Sequence, residues 1–200
     1  MARFRRNGPQ PDADSSDEDL VALAQRGNRE AFGLLYDRYL PRVYAYCLRL
    51  LRHQEQAEDA NTEVFMRALA GLPAYRAGSF RSWLFTIAHH VTMDHLRQRS
   101  RTISMEHAPE PVDPHSFEDT VLMAAEWERI ERALPQLSPD QQQVIALRLA
   151  GLTAVEIGVA LGKPRNAIDG LQHRALLRLK ALVATGEAAV SNDKGGGYGG

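Results

Sequence analysis

Cysteine is nearly absent from this sequence, since Cys47 is the single one among 200 residues. One thiol cannot form an intramolecular disulfide or a cysteine-based zinc site, and such usage is typical of a reducing compartment. Long apolar runs are also missing, because none approaches the roughly 18 residues that a membrane-spanning helix needs. Residues 1–10 carry charges and lack the apolar segment of a signal peptide. The sequence therefore predicts a cytoplasmic protein without membrane insertion.

Patterns of catalysis and of metal binding are missing as well. Nothing in the chain matches a catalytic triad, a phosphate-binding glycine loop or a dinucleotide fingerprint. His89, His90 and His95 lie near Asp94, and His90 and Asp94 are spaced i, i+4 as two ligands on one helix face would be. No cysteine and no distant cluster of acids or histidines completes a site there. We therefore predict no enzyme activity, no metal and no cofactor.

The chain has almost no excess of either charge, but its net charge of −1 conceals three blocks in which one sign dominates. Residues 81–101 carry four arginines against one aspartate, and residues 132–183 carry seven basic residues against three acids. Between these blocks, residues 102–131 carry eight acids against one arginine. Basic blocks suit a polyanionic partner, although solvated faces would explain the same clustering.

Helical periodicity is the only regular pattern that we find between the two termini. Apolar residues recur at i, i+3, i+4 and i+7 in Phe32, Leu35, Tyr36 and Tyr39, and Pro41 is expected to end that helix. Prolines and acids at 102–118 indicate a flexible linker. We predict an all-α chain with a disordered tail at 1–15, a helical domain at 16–101, that linker, a second helical domain at 119–183, and a disordered glycine-rich tail at 184–200.

The second domain contains the pattern of a helix-turn-helix between Thr153 and Arg174. Thr153 and Glu156 form a capping box at the start of a short helix, Gly162 ends that helix, and Asn166 is expected to cap the next one. The second helix of such a motif can enter the major groove of DNA. An ordinary helical hairpin would show the same pattern, so the motif alone leaves both interpretations open.

Several longer stretches resemble sigma factors of the extracytoplasmic-function (ECF) group of the sigma-70 family. Residues 134–144, 152–157 and 160–162 resemble region 4 of these proteins, and residues 17–21, 31–36, 58–65, 80–88 and 94–97 resemble region 2. The resemblance implies two small helical domains, a region 2 helical bundle and a region 4 helix-turn-helix, joined by a flexible linker. It implies a promoter-recognition subunit that binds core RNA polymerase and directs initiation at −35/−10 promoters, with an anti-sigma factor as a further partner and a nucleoid-associated location.

The resemblance also assigns residues of region 2. It implies that Asp59, Glu63 and Phe65 bind polymerase, and the two carboxylates, one turn apart, share a helix face. Core burial of Phe65 and of Trp83 is the alternative for these two residues. A mixture of cations and aromatic rings suits the opening of DNA at the −10 element. The residues implied there are Tyr75, Arg76, Ser79, Phe80, Arg81, Trp83, Arg97, Arg99 and Arg101.

The recognition helix departs from the family pattern. The resemblance implies −35 contacts for Thr153, Arg165, Asn166, Asp169, Gly170, His173 and Arg174. Asp169, Gly170 and Leu171 stand where the family typically has Lys, Ser and Arg, and Asp169 would repel phosphate unless it serves as a helix cap. Two other functions therefore stay open. One is a polymerase- or anti-sigma-docking protein with weakened −35 binding, and the other is a stand-alone helix-turn-helix regulator.

Overall fold

The computed structural model describes residues 11–76, 78–102 and 129–193. The chain divides into two compact units, one from Met1 to His107 and the other from Ala108 to Gly200. All regular structure in the described residues is helical, which confirms the all-α prediction. None of the described helices is both long and apolar enough to cross a membrane. Most of the predicted linker lies outside the described residues.

In the described residues of the first unit there are four helices. They are α1 (Asp17–Gln25), α2 (Arg29–Leu51), α3 (Gln54–Gly71) and α4 (Phe80–Thr102), with a 3₁₀ turn at Leu72–Ala74. The start of α1 is fixed by Ser16, whose side chain accepts a hydrogen bond from the Asp19 backbone N–H. The chain leaves α1 through Gly27, which has a φ of 88° that suits glycine. Both boundaries of this helix thus follow from local sequence signals, a capping serine before it and a glycine after it.

Pro41 does not end a helix, and that prediction was wrong. It lies inside α2, which continues to Leu51. Proline removes one backbone hydrogen bond and costs about 3 kcal/mol within a helix. The residues on either side share one buried stripe, since Leu35, Tyr39 and Val43 are all buried. Pro41 itself is exposed. Burial of this stripe along the whole of α2 offsets the local cost.

The core of the first unit forms where α2, α3 and α4 meet. Tyr46 and Phe85 are its largest fully buried side chains, and their ring centroids lie 5.8 Å apart in an edge-on contact. Cys47 is fully buried beside Thr92, with 3.6 Å between Sγ and Oγ1. Burial raises the pKa of the Cys47 thiol to about 11, so the thiol is protonated and unreactive at neutral pH. Cys47 is therefore a structural residue of the core.

Between residues 129 and 193, the part of the second unit that the structure describes, there are a helical turn at 129–133, a 3₁₀ turn at Leu134–Gln136, and three further helices. These are α5 (Pro139–Leu149), α6 (Ala154–Leu161) and α7 (Arg165–Asp193). The capping box predicted at Thr153 and Glu156 is confirmed, and a second capping box pairs Ser138 with Gln141. The reciprocal hydrogen bonds satisfy backbone groups that the first turn would otherwise leave unpaired.

The two ends of α7 differ from the prediction. The helix begins at Arg165, and the Pro164 carbonyl accepts hydrogen bonds from the backbone N–H groups of Ala167 and Ile168. Asn166 therefore lies within the first turn, where its side chain accepts from Ala167 N–H, and it is not the cap. At its other end α7 continues to Asp193, beyond the predicted domain end at Val183. Residues 184–193 include three alanines and a glutamate, which favour helix.

Candidate functional site

Helix α3 presents a row of acids on the exposed side of the first unit. Glu55, Glu58 and Asp59 are all exposed. Glu58 accepts a hydrogen bond from Gln54 at 2.9 Å, one turn earlier. Asp59 projects from the middle of α3, between the buried residues Ala57 and Ala60. This acidic face can attract basic side chains of a protein and would repel nucleic acid.

Glu63 belongs to a different environment from Asp59, although the two are one turn apart. Its carboxylate pairs with Arg67 at 2.5 Å and accepts a hydrogen bond from His95 Nε2 at 3.1 Å. Partial burial is the largest single influence on the pKa of Glu63 and raises it, but the bonds to His95 and Arg67 together outweigh burial and lower the pKa. Arg67 also approaches Asp94 at 3.8 Å. Glu63 thus ties α3 to α4 and is only partly available to a partner.

Phe65 lies in the core of the unit rather than on its surface. Its side chain is 6 % exposed, and its ring packs edge-on against Tyr36 with 4.6 Å between the centroids. Of the three residues predicted to bind polymerase, the structure therefore leaves Asp59 exposed, Glu63 partly exposed and Phe65 covered.

An aromatic cluster forms where the chain enters α4. The ring of Trp83 lies 5.1 Å from that of Tyr75 and 5.6 Å from that of Phe80, measured between centroids. Phe80 is buried, while Tyr75 and Trp83 are half-buried. Trp83 also lies against Gly71, where an added Cβ would come within 3.2 Å of its Cζ2 atom. Trp83 is therefore not fully covered by the core, because its ring packs against Gly71 and two aromatic rings but stays half-buried.

The loop between the 3₁₀ turn and α4 is held by hydrogen bonds to its own backbone. Gln25 of α1 donates to the carbonyls of Leu72 and Tyr75, at 2.9 and 2.7 Å. The Tyr75 hydroxyl donates to Gly78 O at 2.6 Å, and Arg76 donates to Pro73 O at 3.1 Å. A cavity of about 280 Å³ separates this loop from α1, and Tyr75, Arg76 and Phe80 are among the residues that line it.

The remaining residues predicted for the −10 element lie along α4. Ser79 caps the helix, because its hydroxyl accepts from the Ser82 backbone N–H at 3.2 Å. Arg97 is exposed and pairs with Asp94 at 2.8 Å. Arg99 is half-buried and donates to Leu51 O at 2.8 Å, so it anchors α4 to the end of α2. Arg81 is half-buried in the first turn, and Arg101 lies in the last turn of α4.

Two histidines of α4, His89 and His95, contact side chains of other helices, whereas His90 is exposed. His89 approaches the buried Tyr46 hydroxyl, with 3.3 Å between Nδ1 and the oxygen. Burial, followed by the nearby His90 and Arg97, lowers the pKa of His89 to about 4, so its ring is neutral at pH 7. Within the described ranges, no three His, Cys, Asp or Glu side chains are grouped as a metal site would require.

In the second unit, α6 and α7 form a tight helix-turn-helix. Gly162 ends α6 in the left-handed conformation with a φ of 62°. Gly158 lies against the turn, where an added Cβ would come within 2.8 Å of the Lys163 carbonyl oxygen. Ile157 and Ile168 are fully buried between the two helices. The predicted motif is therefore present, with Gly158 allowing the close approach of the two helices.

Two cations at the turn are already paired with acids. Lys163 donates to Asp140 of α5 at 3.1 Å, and Nε of Arg165 lies 3.6 Å from Asp169. Arg174 behaves differently, because its guanidinium lies over Gly170, with Nη1 3.3 Å from where a Cβ would be. His173 and Arg174 are both exposed on α7. The other predicted −35 residues, Thr153 and Asn166, are exposed at the starts of α6 and α7.

The sequence patterns did not predict three residues that shape these surfaces: Gln25, Gly71 and Gly158. A glycine inside a helical apolar pattern is a recognised sign of close packing, and it could have pointed to Gly158. No comparable signal marks Gln25, because its partners are backbone carbonyls some 50 residues away.

Comparison with known proteins agrees with these two units. Residues 35–102 match the family model for Sigma-70 region 2, and residues 133–181 match that for Sigma-70 region 4. The ECF RNA polymerase sigma factor BldN of Streptomyces coelicolor is 36 % identical over 183 residues, which cover 88 % of this chain and 69 % of that protein. The ECF RNA polymerase sigma factor ShbA of Streptomyces griseus is 32 % identical over 178 residues, covering 82 % and 93 % respectively.

A solved structure shares the fold. CnrH, in complex with the cytosolic domain of CnrY, superimposes with a TM-score of 0.66 and 25 % identity over 87 % of this chain and 99 % of that chain. The two units thus define a sigma-70-type protein with regions 2 and 4. The chain belongs to the ECF RNA polymerase sigma factors. It is a promoter-recognition subunit that binds core RNA polymerase and promoter DNA, and it is not an enzyme.

Proposed function

We propose that residues 16–101 dock on core polymerase and open the −10 element, while residues 119–183 engage the −35 element and residues 102–118 connect them. The observation that carries this division is the arrangement of the first unit. Exposed acids lie along α3, whereas the aromatic cluster of Tyr75, Phe80 and Trp83 lies at the start of α4. Acids suit a basic protein surface, and half-buried rings suit unstacked bases.

Docking on polymerase is assigned chiefly to Asp59. It is exposed, and Glu55 and Glu58 extend its negative charge toward the start of α3. Glu63 contributes indirectly, because its bonds to Arg67 and His95 hold α3 against α4. Phe65 contributes indirectly as well, because it is buried under the surface of α3 and packs against Tyr36 of α2.

The test of docking is the affinity of the chain for core polymerase. We expect Asp59→Lys to weaken binding, and to make it less sensitive to salt, because an attraction becomes a repulsion. Asp14→Lys is the matched control, since Asp14 is an exposed acid outside α3. Equal affinities for Asp59→Lys and the unmodified chain would contradict the assignment. Glu63→Lys is avoided because the new cation would face Arg67 and His95.

Strand opening is assigned to the aromatic cluster together with the arginines of α4. Tyr75 and Trp83 are half-buried rings beside the exposed Arg76. Permanganate reactivity of −10 thymines in the holoenzyme measures opening. We expect Trp83→Leu to reduce it, because leucine keeps apolar volume but cannot stack on a base. Retained opening in a folded Trp83→Leu holoenzyme would refute the role.

One observation favours a second candidate, a polymerase-docking protein with weakened −35 binding. Lys163 and Arg165 each pair with an acid, which reduces the positive charge that the turn offers to phosphate. Runoff transcription with core polymerase on a pool of genomic promoters separates these possibilities. Transcripts from promoters with a defined −35 element support promoter recognition, and core binding without such transcripts supports docking alone.

We further propose an anti-sigma factor as a partner and a cytoplasmic, nucleoid-associated location. CnrH was solved with a cytosolic domain of another protein, and RpoE of Bartonella quintana with an anti-sigma factor. The location follows from the partners, because polymerase and promoter DNA meet at the nucleoid. Co-purification of the chain with an inhibitor of its transcription from the native organism is the test of the partner.

A further inference from the structure

Gln25, the last residue of α1, holds both ends of the 3₁₀ turn at Leu72–Ala74. Its side-chain amide donates at 2.9 Å to the carbonyl of Leu72, which begins the turn, and at 2.7 Å to that of Tyr75, which follows the turn. A side-chain amide has two N–H donors, and these two carbonyls use both. The opposite orientation of the amide would set its oxygen against two carbonyl oxygens, so the partners fix the group in one arrangement.

Helix α1 is itself fixed to the rest of the first unit, which makes it a firm support for Gln25. At the start of α1, Asp17 accepts hydrogen bonds from Arg38 at 2.6 Å and from the Tyr39 hydroxyl, both on α2. In its middle, Leu20 is fully buried. The amide of Gln25 therefore ties the turn to the pair of α1 and α2, across 47 to 50 residues of sequence.

Packing between α1 and the turn is loose at this point. A cavity of about 280 Å³ lies between them, and Val21, Gln25, Tyr75 and Phe80 are among the residues that line it. An open space offers no atoms for van der Waals contact, so packing contributes little to the position of Tyr75 on this side. The position of the turn relative to α1 therefore depends strongly on the two hydrogen bonds of Gln25.

The position of the turn decides where the ring of Tyr75 lies. The Tyr75 backbone N–H donates to Leu72 O at 3.1 Å, and its hydroxyl donates to Gly78 O at 2.6 Å, so both the backbone and the ring are held. The ring centroid lies 5.1 Å from that of Trp83 and 6.2 Å from that of Phe80. A shift of the turn would therefore move one of the three rings relative to the other two.

We infer that Gln25 is a positioning residue for base recognition at the −10 element. It acts through the turn: by holding Tyr75, it keeps the cluster of Tyr75, Phe80 and Trp83 in the arrangement that accepts an unstacked base. When only a fraction of the molecules has the competent arrangement, the apparent affinity for the ligand falls by that fraction. The inference rests on the proposed role of the aromatic cluster and adds a residue of α1 to it.

The second unit contains an equivalent contact, which supplies a matched control. Its 3₁₀ turn at Leu134–Gln136 also begins with leucine and proline, and Gln142 donates to the carbonyls of Pro135 and Leu137 at 3.2 and 2.8 Å. Gln142→Leu thus removes a similar pair of hydrogen bonds from a turn that carries no part of the aromatic cluster. Gln25 is exposed, so Gln25→Leu leaves the core of its unit intact.

Binding of single-stranded DNA by the holoenzyme tests the inference. One probe carries the −10 sequence of a promoter that the holoenzyme transcribes, and the other is a scrambled oligonucleotide of the same composition. The ratio of the two affinities is the readout, because a smaller folded fraction or a changed net charge alters both affinities by the same factor. Circular dichroism and the affinity for core polymerase establish that each variant is folded and assembled.

We expect Gln25→Leu to lower this ratio by about three- to tenfold, which is the range that the net strength of one hydrogen bond corresponds to. Gln25→Glu should lower it as well, because glutamate has the same size but presents an acceptor to two carbonyls. Gln142→Leu should leave the ratio unchanged.

The outcomes separate the inference from the role of the aromatic cluster. If Trp83→Leu lowers the ratio and the Gln25 variants do not, the inference is overturned and the role of the cluster stands. If none of these variants lowers the ratio, both are overturned. An equal fall of both affinities in Gln25→Leu, or an equal loss of the ratio in Gln142→Leu, would reveal a general structural effect and also overturn the inference. A lower ratio in both Gln25 variants, with an unchanged Gln142→Leu and unchanged core affinity, supports it.

Discussion

Asp169 holds its carboxylate 3.6 Å from Nε of Arg165, one turn earlier on the recognition helix. Both side chains are mostly exposed, so the pair contributes little to stability, on the order of 0.3–0.5 kcal/mol. We expect its consequence for DNA binding to be larger than its consequence for folding. The pair cancels a positive charge at the end of α7 that would enter the major groove.

Replacing Asp169 should therefore strengthen DNA binding. In Asp169→Asn, Arg165 is released to bind phosphate, and Asp169→Lys adds a second cation. We expect affinity of the holoenzyme for duplex promoter DNA to rise from the unmodified chain to Asn to Lys. The slope of log affinity against log salt should steepen by about one unit for each additional phosphate that a cation neutralises. An unchanged slope in Asp169→Lys would mean that this side of α7 does not face DNA.

The order and type of the helices could be predicted because local rules decide them. Ser16, Ser138 and Thr153 each cap a helix as the sequence indicates. The errors arose where distant packing decides. Pro41 satisfies a local rule for ending a helix, but it lies on the exposed side of α2, opposite a stripe that is buried along the whole helix. Sequence spacing alone does not weigh one lost hydrogen bond against that burial.

The candidate site could be predicted only in part, for the same reason. Spacing correctly places Asp59 and Glu63 on one side of α3. It cannot reveal that His95, 32 residues after Glu63, forms a hydrogen bond with the Glu63 carboxylate. The position of Phe65 within an acidic helix is equally compatible with exposure and burial until Tyr36 is seen to cover it. Whether a residue of α3 is available to a partner protein or instead supports the fold depends on its tertiary contacts, which the residue type does not reveal.

Gly158 should be indispensable to the helix-turn-helix. A Cβ there would lie 2.8 Å from the Lys163 carbonyl oxygen, which is backbone and cannot swing aside. We expect Gly158→Ala to destabilise the second unit by about 1–3 kcal/mol and to weaken −35 binding. Gly33→Ala is the control, because Gly33 is also helical and has no neighbouring atom within 4 Å of an added Cβ. That control should be neutral or stabilising by up to about 1 kcal/mol. Urea unfolding measures the stability of both variants. If the unfolding midpoint of the second unit were the same in Gly158→Ala as in the unmodified chain, the steric argument would be contradicted.

The first unit should lose stability as the pH falls through the titration of His89. The pKa of His89 is about 4 in the folded chain against an ordinary value of 6.5. Between these two pH values the unfolded chain therefore binds more protons than the folded chain. Stability from this group is complete above pH 6.5, declines as the pH falls, and is lost below about 4. Urea midpoints at pH 7 and pH 5 should therefore differ less in His89→Gln, which cannot titrate, than in the unmodified chain. The same difference in both proteins would assign the pH dependence to other groups.

The last prediction concerns the need for polymerase in promoter recognition. Each unit offers few groups to DNA: in the second unit Lys163 and Arg165 are paired, which leaves Asn166, His173 and Arg174 as the exposed base-reading candidates of α7. One good bidentate contact discriminates between bases by about 1–3 kcal/mol, so neither unit alone should bind tightly and specifically. The free chain must also lose conformational freedom across the predicted linker at 102–118 to place both units on one promoter.

Core polymerase removes that entropic cost by holding the two units at a fixed separation. We therefore expect the isolated chain to bind promoter DNA weakly and with little sequence preference, and the holoenzyme to bind specifically and to melt the −10 region. Promoter binding at matched salt, combined with permanganate footprinting, compares the two. Tight and specific binding by the isolated chain would favour a stand-alone regulator. Specific binding by the holoenzyme without reactive thymines would leave the −35 assignment intact and contradict the role of the Tyr75, Phe80 and Trp83 cluster in strand opening.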